Sequence, residues 1–256
     1  MRVPLARRAP LVARRALAAL TACLAAGALA AAPAALAEEA AVSLQPSLLP
    51  DRLGASTAFT LSYRFSGGEE GIPPPLRQVT VRLPAGLRIL AGGVKICQPA
   101  RLKRKGPSGC PAGSQVGNGH AHMEVHAGSQ AVPEQATLWV FRGPNHAGQL
   151  SFLIFGQGYT PLYQSAVSTE VLETDNPPYG WRTVVAVPPI PTVMYEPDAS
   201  FLSLSLTFTG DSPRAHAAAG KIVIPASCPA GGFPFATEVA FADGTTAQST
   251  ATVPCP

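Results

Sequence analysis

Apolar and polar side chains alternate one by one along much of this chain, and this period of two constrains the fold more than any other feature. Residues 57–66 place Phe59, Leu61, Tyr63 and Phe65 on one face. Residues 201–209 repeat the pattern with Leu202, Leu204, Leu206 and Phe208. Successive side chains of a β-strand point to opposite faces, whereas a helix repeats every 3.6 residues. The pattern predicts strands with one face in a core and the other in water.

Further segments have strand character, and turn residues such as Asn176-Pro177-Pro178 separate them. Two of them, 136–141 and 149–155, are more continuously apolar, which is typical of central strands. The other candidates are 78–83, 165–173, 182–187, 221–224, 235–242 and 245–253. Short strands with frequent Gly and Pro turns predict an all-β fold, an Ig-like or related β-sandwich. A β-barrel or two small β domains are the alternatives.

The first 37 residues have the features of a secretory signal peptide. They contain five Arg and no acidic residue, followed from Ala16 by an uncharged stretch rich in Ala and Leu that ends in Ala35-Leu36-Ala37. A basic start, an apolar middle and small residues at the cleavage site define such a peptide. We predict export with cleavage after Ala37, and a single β-sandwich domain in residues 38–256. A membrane anchor, and a lipoprotein modified at Cys23, are the alternatives.

Removal of the signal peptide changes the charge of the chain. Five of the 19 basic residues lie in residues 1–37, which leaves 14 against 15 acidic residues, a formal net charge of −1. We expect no nucleic-acid binding, since nucleic-acid-binding proteins carry basic surfaces. No later stretch reaches about 18 consecutive apolar residues, so we predict no membrane span after signal removal. We also expect a monomer.

Four cysteines remain after position 37: Cys97, Cys110, Cys228 and Cys255. An even number of cysteines in an exported chain favours disulfides, and four cysteines allow three connectivities. We favour Cys97–Cys110 and Cys228–Cys255 because each pair closes a local loop. A four-cysteine zinc site is the alternative, although the close Cys pairs typical of such sites are missing.

Asp243-Gly244 predicts a two-residue hairpin loop between the strand candidates 235–242 and 245–253. With that loop, the numbers of paired residues add up to 487, so Cys255 would face position 232. A bridge from Cys228 would then hold the last strand in place.

Several short motifs surround the cysteines. They are LPAGL at 83–87, CPAGSQVG at 110–117, CPAGGFPF at 228–235, FADG at 241–244 and VPC at 253–255. In these motifs the chain resembles a group of exported actinobacterial β-rich proteins of uncharacterised function. The resemblance implies export, two disulfides and a β-sandwich, and it implies no catalytic residue.

The segment 120–126, HAHMEVH, is the best candidate for a metal site. In a strand, His120, His122, Glu124 and His126 would share one face. Imidazole and carboxylate groups are suitable ligands for divalent Zn, Cu, Ni or Fe. Four residues in line are too far apart to close around one ion, so a site would use two or three and a ligand from elsewhere, such as His146 or Asp175. The simpler interpretation is the solvated face of an amphipathic strand.

Four basic residues, Arg101, Lys103, Arg104 and Lys105, lie inside the predicted Cys97–Cys110 loop. They could bind an acidic polymer or a polysaccharide of the cell envelope, together with Trp181, which follows a Pro-rich turn and is a candidate for exposure. A charge run in a surface loop is more often only solvated. No aromatic residues alternate with these charges in the way that single-stranded nucleic-acid binders require.

The chain contains no G-x-S-x-G, H-E-x-x-H, G-x-x-x-x-G-K-[ST] or G-x-G-x-x-G motif. We therefore expect no enzyme and no cofactor, a divalent metal at the His strand excepted. The sequence favours an exported, non-catalytic structural or recognition domain of the cell envelope or extracellular space. A metal-binding protein, with or without catalysis, that uses His120, His122, Glu124 and His126 is the alternative.

Overall fold

The computed structural model describes residues 38–68, 71–127, 130–159, 164–190, 199–209 and 221–256. Ala37–Pro256 form one compact unit. The predicted signal peptide and Cys23 lie outside the described residues. In the described chain, the one α-helix has seven residues, and no helix has the length and apolar character needed to cross a membrane.

Thirteen strands and the short helix make up the described secondary structure. The strands are β1 (Glu38–Leu49), β2 (Ser56–Gly68), β3 (Leu76–Pro84), β4 (Arg88–Leu90), β5 (Gln115–Ala127), β6 (Gln130–Arg142), β7 (Ser151–Gly158), β8 (Gln164–Thr174), β9 (Tyr179–Ala186), β10 (Ser200–Phe208), β11 (Lys221–Val223), β12 (Phe233–Phe241) and β13 (Thr246–Val253). The helix α1 is Pro99–Lys105, followed by a 3-10 turn, Gly106–Gly109. The all-β prediction is confirmed, and each predicted strand segment overlaps a strand. The sequence analysis did not predict β1, β4 or α1.

All strand pairs are antiparallel, and the strands form one large sheet. Its order is β1-β2-β10-β5-β6-β7-β8-β9-β3-β12-β13, and the short ribbon β11-β4 joins the free edge of β2 beside β10. The two end strands also meet, since the Leu44 N–H of β1 donates to Ser249 Oγ of β13 at 3.2 Å. Between these two fully described strands there is no backbone ladder, so the sheet is open there. Opposite parts of the curled sheet face each other across one core, which is consistent with the predicted β-sandwich.

The inner faces of the strands form the main hydrophobic core. The β2 side chains predicted to share a face, Phe59, Leu61, Tyr63 and Phe65, are all buried in it. Strand β10 departs from strict alternation, because its pairing with β5 shifts register between Phe201 and Ser203. A bulge of this kind places two residues opposite one and re-aims the side chains. Phe201 packs on the core in place of Leu202, so the predicted inward position of Leu202 is wrong.

A second, smaller core lies on the outer face of β6 and β7. Phe141, Leu153 and Phe155 are buried there with Leu102 of α1 and with Cys97. Helix α1 lies inside the loop closed by the Cys97–Cys110 disulfide, which confirms that predicted pairing. Because β6 and β7 are covered on both faces, their sequences are continuously apolar instead of alternating.

The C-terminal hairpin has a loop of three residues, 242–244, and not the predicted two. Phe235 pairs with Ala251, so the numbers of paired residues add up to 486. Asp243 Oδ1 accepts hydrogen bonds from the Thr245 N–H at 2.9 Å and the Thr245 hydroxyl at 2.7 Å, and Gly244 takes a left-handed φ of 87°. These local bonds make the longer loop favourable. The predicted Cys228–Cys255 disulfide is confirmed and ties β13 to the segment before β12.

Candidate functional site

The histidines predicted to bind metal lie on the outer face of β5. His120 and His122 are exposed, with their ring centroids 6.0 Å apart, and Glu124 beside them is half-buried. The side chain of His126 lies outside the described part of the structure. Among the described residues, no three potential ligands converge on one point. Asp175, considered as a further ligand, lies 3.6 Å from the Arg82 guanidinium.

The basic residues predicted to lie in a loop are on helix α1. Arg101, Lys103, Arg104 and Lys105 are all exposed, whereas Leu102 is buried in the outer core. These residues lie inside the loop that the Cys97–Cys110 disulfide closes, as predicted, but the sequence analysis did not predict that this part of the loop is a helix. Packing of Leu102 in the outer core stabilises the helical turn. The four charges form an exposed basic surface on the outer side of the sheet.

Trp181 does not join this basic surface. Its side chain is half-buried against the main core, on the other side of the sheet, and its Nε1–H donates to the Leu87 carbonyl at 2.6 Å. The predicted exposure of Trp181 is therefore wrong, and the residues proposed together as a polymer site are separated by the sheet.

The side chains of the main core line a cavity of about 120 Å³ that is open to the surface. Its wall comes from β2, β3 and β5 to β10, and it is mostly aliphatic, with side chains such as Leu138, Val185 and Leu204. The half-buried Gln157 and the exposed Ser165 also line it, so the cavity reaches the surface where β7 ends and β8 begins.

A second cavity of about 50 Å³ adjoins the first. Leu61, Val81, Glu170 and Phe208 line both cavities and form the layer between them. A carboxyl group thus lies at the middle of an otherwise apolar interior.

Glu170 extends inward from β8 and is only 7% exposed. Burial raises its pKa from 4.5 to about 7, and the nearby Thr183 hydroxyl partly offsets this effect. Thr183 Oγ1 is itself buried and makes no hydrogen bond of regular geometry. Among the described residues, no basic side chain forms an ion pair with Glu170. The charged form of the carboxyl is therefore costly, because the Thr183 hydroxyl offsets the loss of solvation only in part.

Tyr63 of β2 faces Glu170 across the core. Burial raises the pKa of its hydroxyl, the Glu170 carboxyl raises it further, and contact with the Thr237 side chain lowers it. The Thr237 hydroxyl donates to the Thr80 carbonyl at 3.0 Å. The phenol oxygen of Tyr63 is thus a second polar atom beside the carboxyl.

In comparisons with known proteins, no family model, no curated protein and no solved structure matches this chain. The function of the candidate site is therefore inferred from the geometry of the site alone. The resemblance to exported actinobacterial proteins stays a prediction.

The sequence analysis did not identify Glu170. Strand β8 has the sequence QSAVSTEVLET, in which polar residues occur on both faces. The one signal is that Glu170 shares its face with Ala166 and Leu172, both of which point inward. The alternating pattern places an acidic residue on the inner face, but it does not predict that the opposite strands bury this residue.

Proposed function

We propose that this protein is an exported, non-catalytic recognition domain that holds a small apolar molecule inside its curled sheet. The cavity of about 120 Å³ carries the proposal. An apolar cavity of about 150 Å³ stays dry in water and takes up benzene, so the size here fits a single ring or a short chain. A concave, mostly apolar site with a few polar groups is also the usual form of a small-molecule site.

Export and an extracellular or cell-envelope location are part of the same proposal. The two disulfides support an oxidising compartment, because such bonds persist outside the cytosol. The signal-peptide features of residues 1–37, and the predicted resemblance of the motifs around the cysteines to exported actinobacterial proteins, also support export. The exposed basic side chains of α1 would let the domain associate with an acidic envelope polymer while the cavity holds its ligand.

Binding of toluene to the secreted protein, measured by isothermal titration calorimetry, tests the proposal. Ala136 of β6 is buried and lines the cavity, so Ala136→Leu fills part of the space with three more carbon atoms. Ala131 lies on the same strand but is exposed, so Ala131→Leu is the matched control. We expect toluene to bind the unchanged protein and Ala131→Leu, and to bind Ala136→Leu at least about tenfold more weakly, since lost apolar contact and volume reduce affinity.

No heat of binding for toluene in the unchanged protein would refute the proposal. Equal binding to both leucine variants would also refute it, because the toluene would then bind at another place. Near-UV circular dichroism of Ala136→Leu checks that the variant keeps its packed core.

A further inference from the structure

The layer between the two cavities contains a buried carboxyl group that has no basic partner among the described residues. Glu170 lines both cavities, and its neighbours in the layer, Leu61, Val81 and Phe208, are apolar. Buried carboxylates in proteins are normally paired with a cation or accept several hydrogen bonds. Within the described residues, Glu170 has no cationic partner, and the Thr183 hydroxyl is the one hydrogen-bonding group that lowers its pKa. A ligand at this layer could supply the missing cation.

The charges of the wall limit the class of ligand. The described lining of the larger cavity contains two acids, Glu170 and Glu134, and no Lys, Arg or His. Glu134 Oε1 accepts the Tyr159 N–H at 2.7 Å, so that acid is already held by the backbone. Lys221 lines the smaller cavity, but its side chain is exposed. A carboxylate or phosphate ligand would meet repulsion here and no compensating cation.

The polar atoms around the layer accept hydrogen bonds. The Glu170 carboxylate accepts only, and the hydroxyl oxygens of Thr183 and Tyr63 can also accept. Thr183 Oγ1 is buried without a regular hydrogen bond, and Thr183 lines the smaller cavity next to Glu170. Glu170 is the one of these residues that lines both cavities. A group with N–H donors and a positive charge would pair with its carboxylate from the larger cavity.

We infer that the cavity takes a small apolar amine, whose ammonium group pairs with the Glu170 carboxylate while its apolar part fills the larger cavity. This inference rests on the proposed function and names the chemical class of its ligand. An alcohol donates one hydrogen bond and brings no charge, so it compensates Glu170 only in part. A hydrocarbon of the same shape fills the space and leaves the carboxyl without a partner.

Four ligands of nearly the same shape separate these cases: benzylamine, benzyl alcohol, toluene and benzoate. Calorimetry on the secreted protein at about pH 8.5, where Glu170 is ionised, gives their affinities. We expect benzylamine to bind about tenfold or more tightly than toluene, benzyl alcohol to lie between them, and benzoate to bind weakest.

Glu170→Gln keeps the shape of the side chain and removes its charge. We expect the ratio of the benzylamine affinity to the toluene affinity to fall to about one in this variant. Near-UV circular dichroism checks that the variant is folded. Glu173 lies on the same strand but is exposed, so Glu173→Gln is the matched control and keeps the preference.

The outcomes distinguish the two proposals. If toluene binds but benzylamine has no advantage, or if the advantage survives in Glu170→Gln, the amine inference is wrong and the apolar binding site stands. If none of the four ligands binds, the proposed function fails and the inference fails with it.

Discussion

Glu170 should make the stability of this protein depend on pH, and the replacement Glu170→Gln should remove that dependence. Burial raises the pKa of its carboxyl from 4.5 to about 7. A carboxyl whose pKa rises on folding holds its proton more tightly in the folded chain than in the unfolded chain. Its contribution to stability is therefore fully present below about pH 4.5 and is lost as the pH rises through 7.

The size of the effect follows from the pKa difference. A rise from 4.5 to about 7, at about 1.36 kcal/mol per pKa unit, corresponds to about 3 kcal/mol in the free energy of unfolding. Among the described residues, three other titratable side chains line the same two cavities: Tyr63, Glu134 and Lys221. The Tyr63 hydroxyl has its pKa raised and stays protonated throughout this range. Glutamine is neutral at every pH, so the variant avoids the cost of a buried charge.

Urea unfolding curves of the secreted protein, followed by Trp fluorescence between about pH 4.5 and 8.5, measure the difference. We expect Glu170→Gln to match the unchanged protein at the acid end and to exceed its stability by about 3 kcal/mol at the alkaline end. Glu173→Gln, an exposed change on the same strand, serves as the control and should follow the unchanged protein at every pH. A constant difference between Glu170→Gln and the unchanged protein across this range would refute the reasoning.

Two further changes test other parts of the structure. The double replacement of Cys228 and Cys255 by Ser opens a loop with a sequence separation of 27. We expect this change to lower the free energy of unfolding by about 3 kcal/mol. We also expect amide hydrogen exchange to accelerate more in β13 than in β6, and equal acceleration in both strands would contradict this. His120 and His122 place two exposed imidazoles side by side, so we expect weak Ni²⁺ binding by calorimetry that His122→Ala abolishes, and unchanged binding in that variant would contradict a role for the pair.

Much of the fold could be predicted because a strand with one buried face has alternating apolar and polar residues in its sequence. The inward positions of Phe59, Leu61, Tyr63 and Phe65 followed from alternation alone, and the continuous apolar runs of β6 and β7 indicated coverage on both faces. The two disulfide pairings followed from local loop closure. These features depend on neighbours within a few residues or on a simple period, which the sequence displays.

The predictions failed where a single local contact outweighs the pattern. The bulge at Phe201 packs Phe201 on the core in place of Leu202. Both residues are apolar, so the alternating pattern cannot distinguish between them. Hydrogen bonds from Thr245 to Asp243 lengthen the C-terminal loop by one residue. Burial of Leu102 converts a charged run into a helix. Each of these choices depends on a fit between groups that the linear pattern treats as equivalent.

By itself, the sequence determined that the chain folds into antiparallel strands with one buried face, that its cysteines pair locally, and that its N-terminus has the character of a signal peptide. Only the tertiary structure decided that opposite strands leave a cavity between them, and that Glu170 lies in the layer dividing it without a basic partner among the described residues. The reason is physical. The side of the sheet to which a side chain points is a property of a single strand, and the residues of that strand determine it. A cavity and an uncompensated charge are properties of strands far apart in the chain, and these exist only once the sheet has curled.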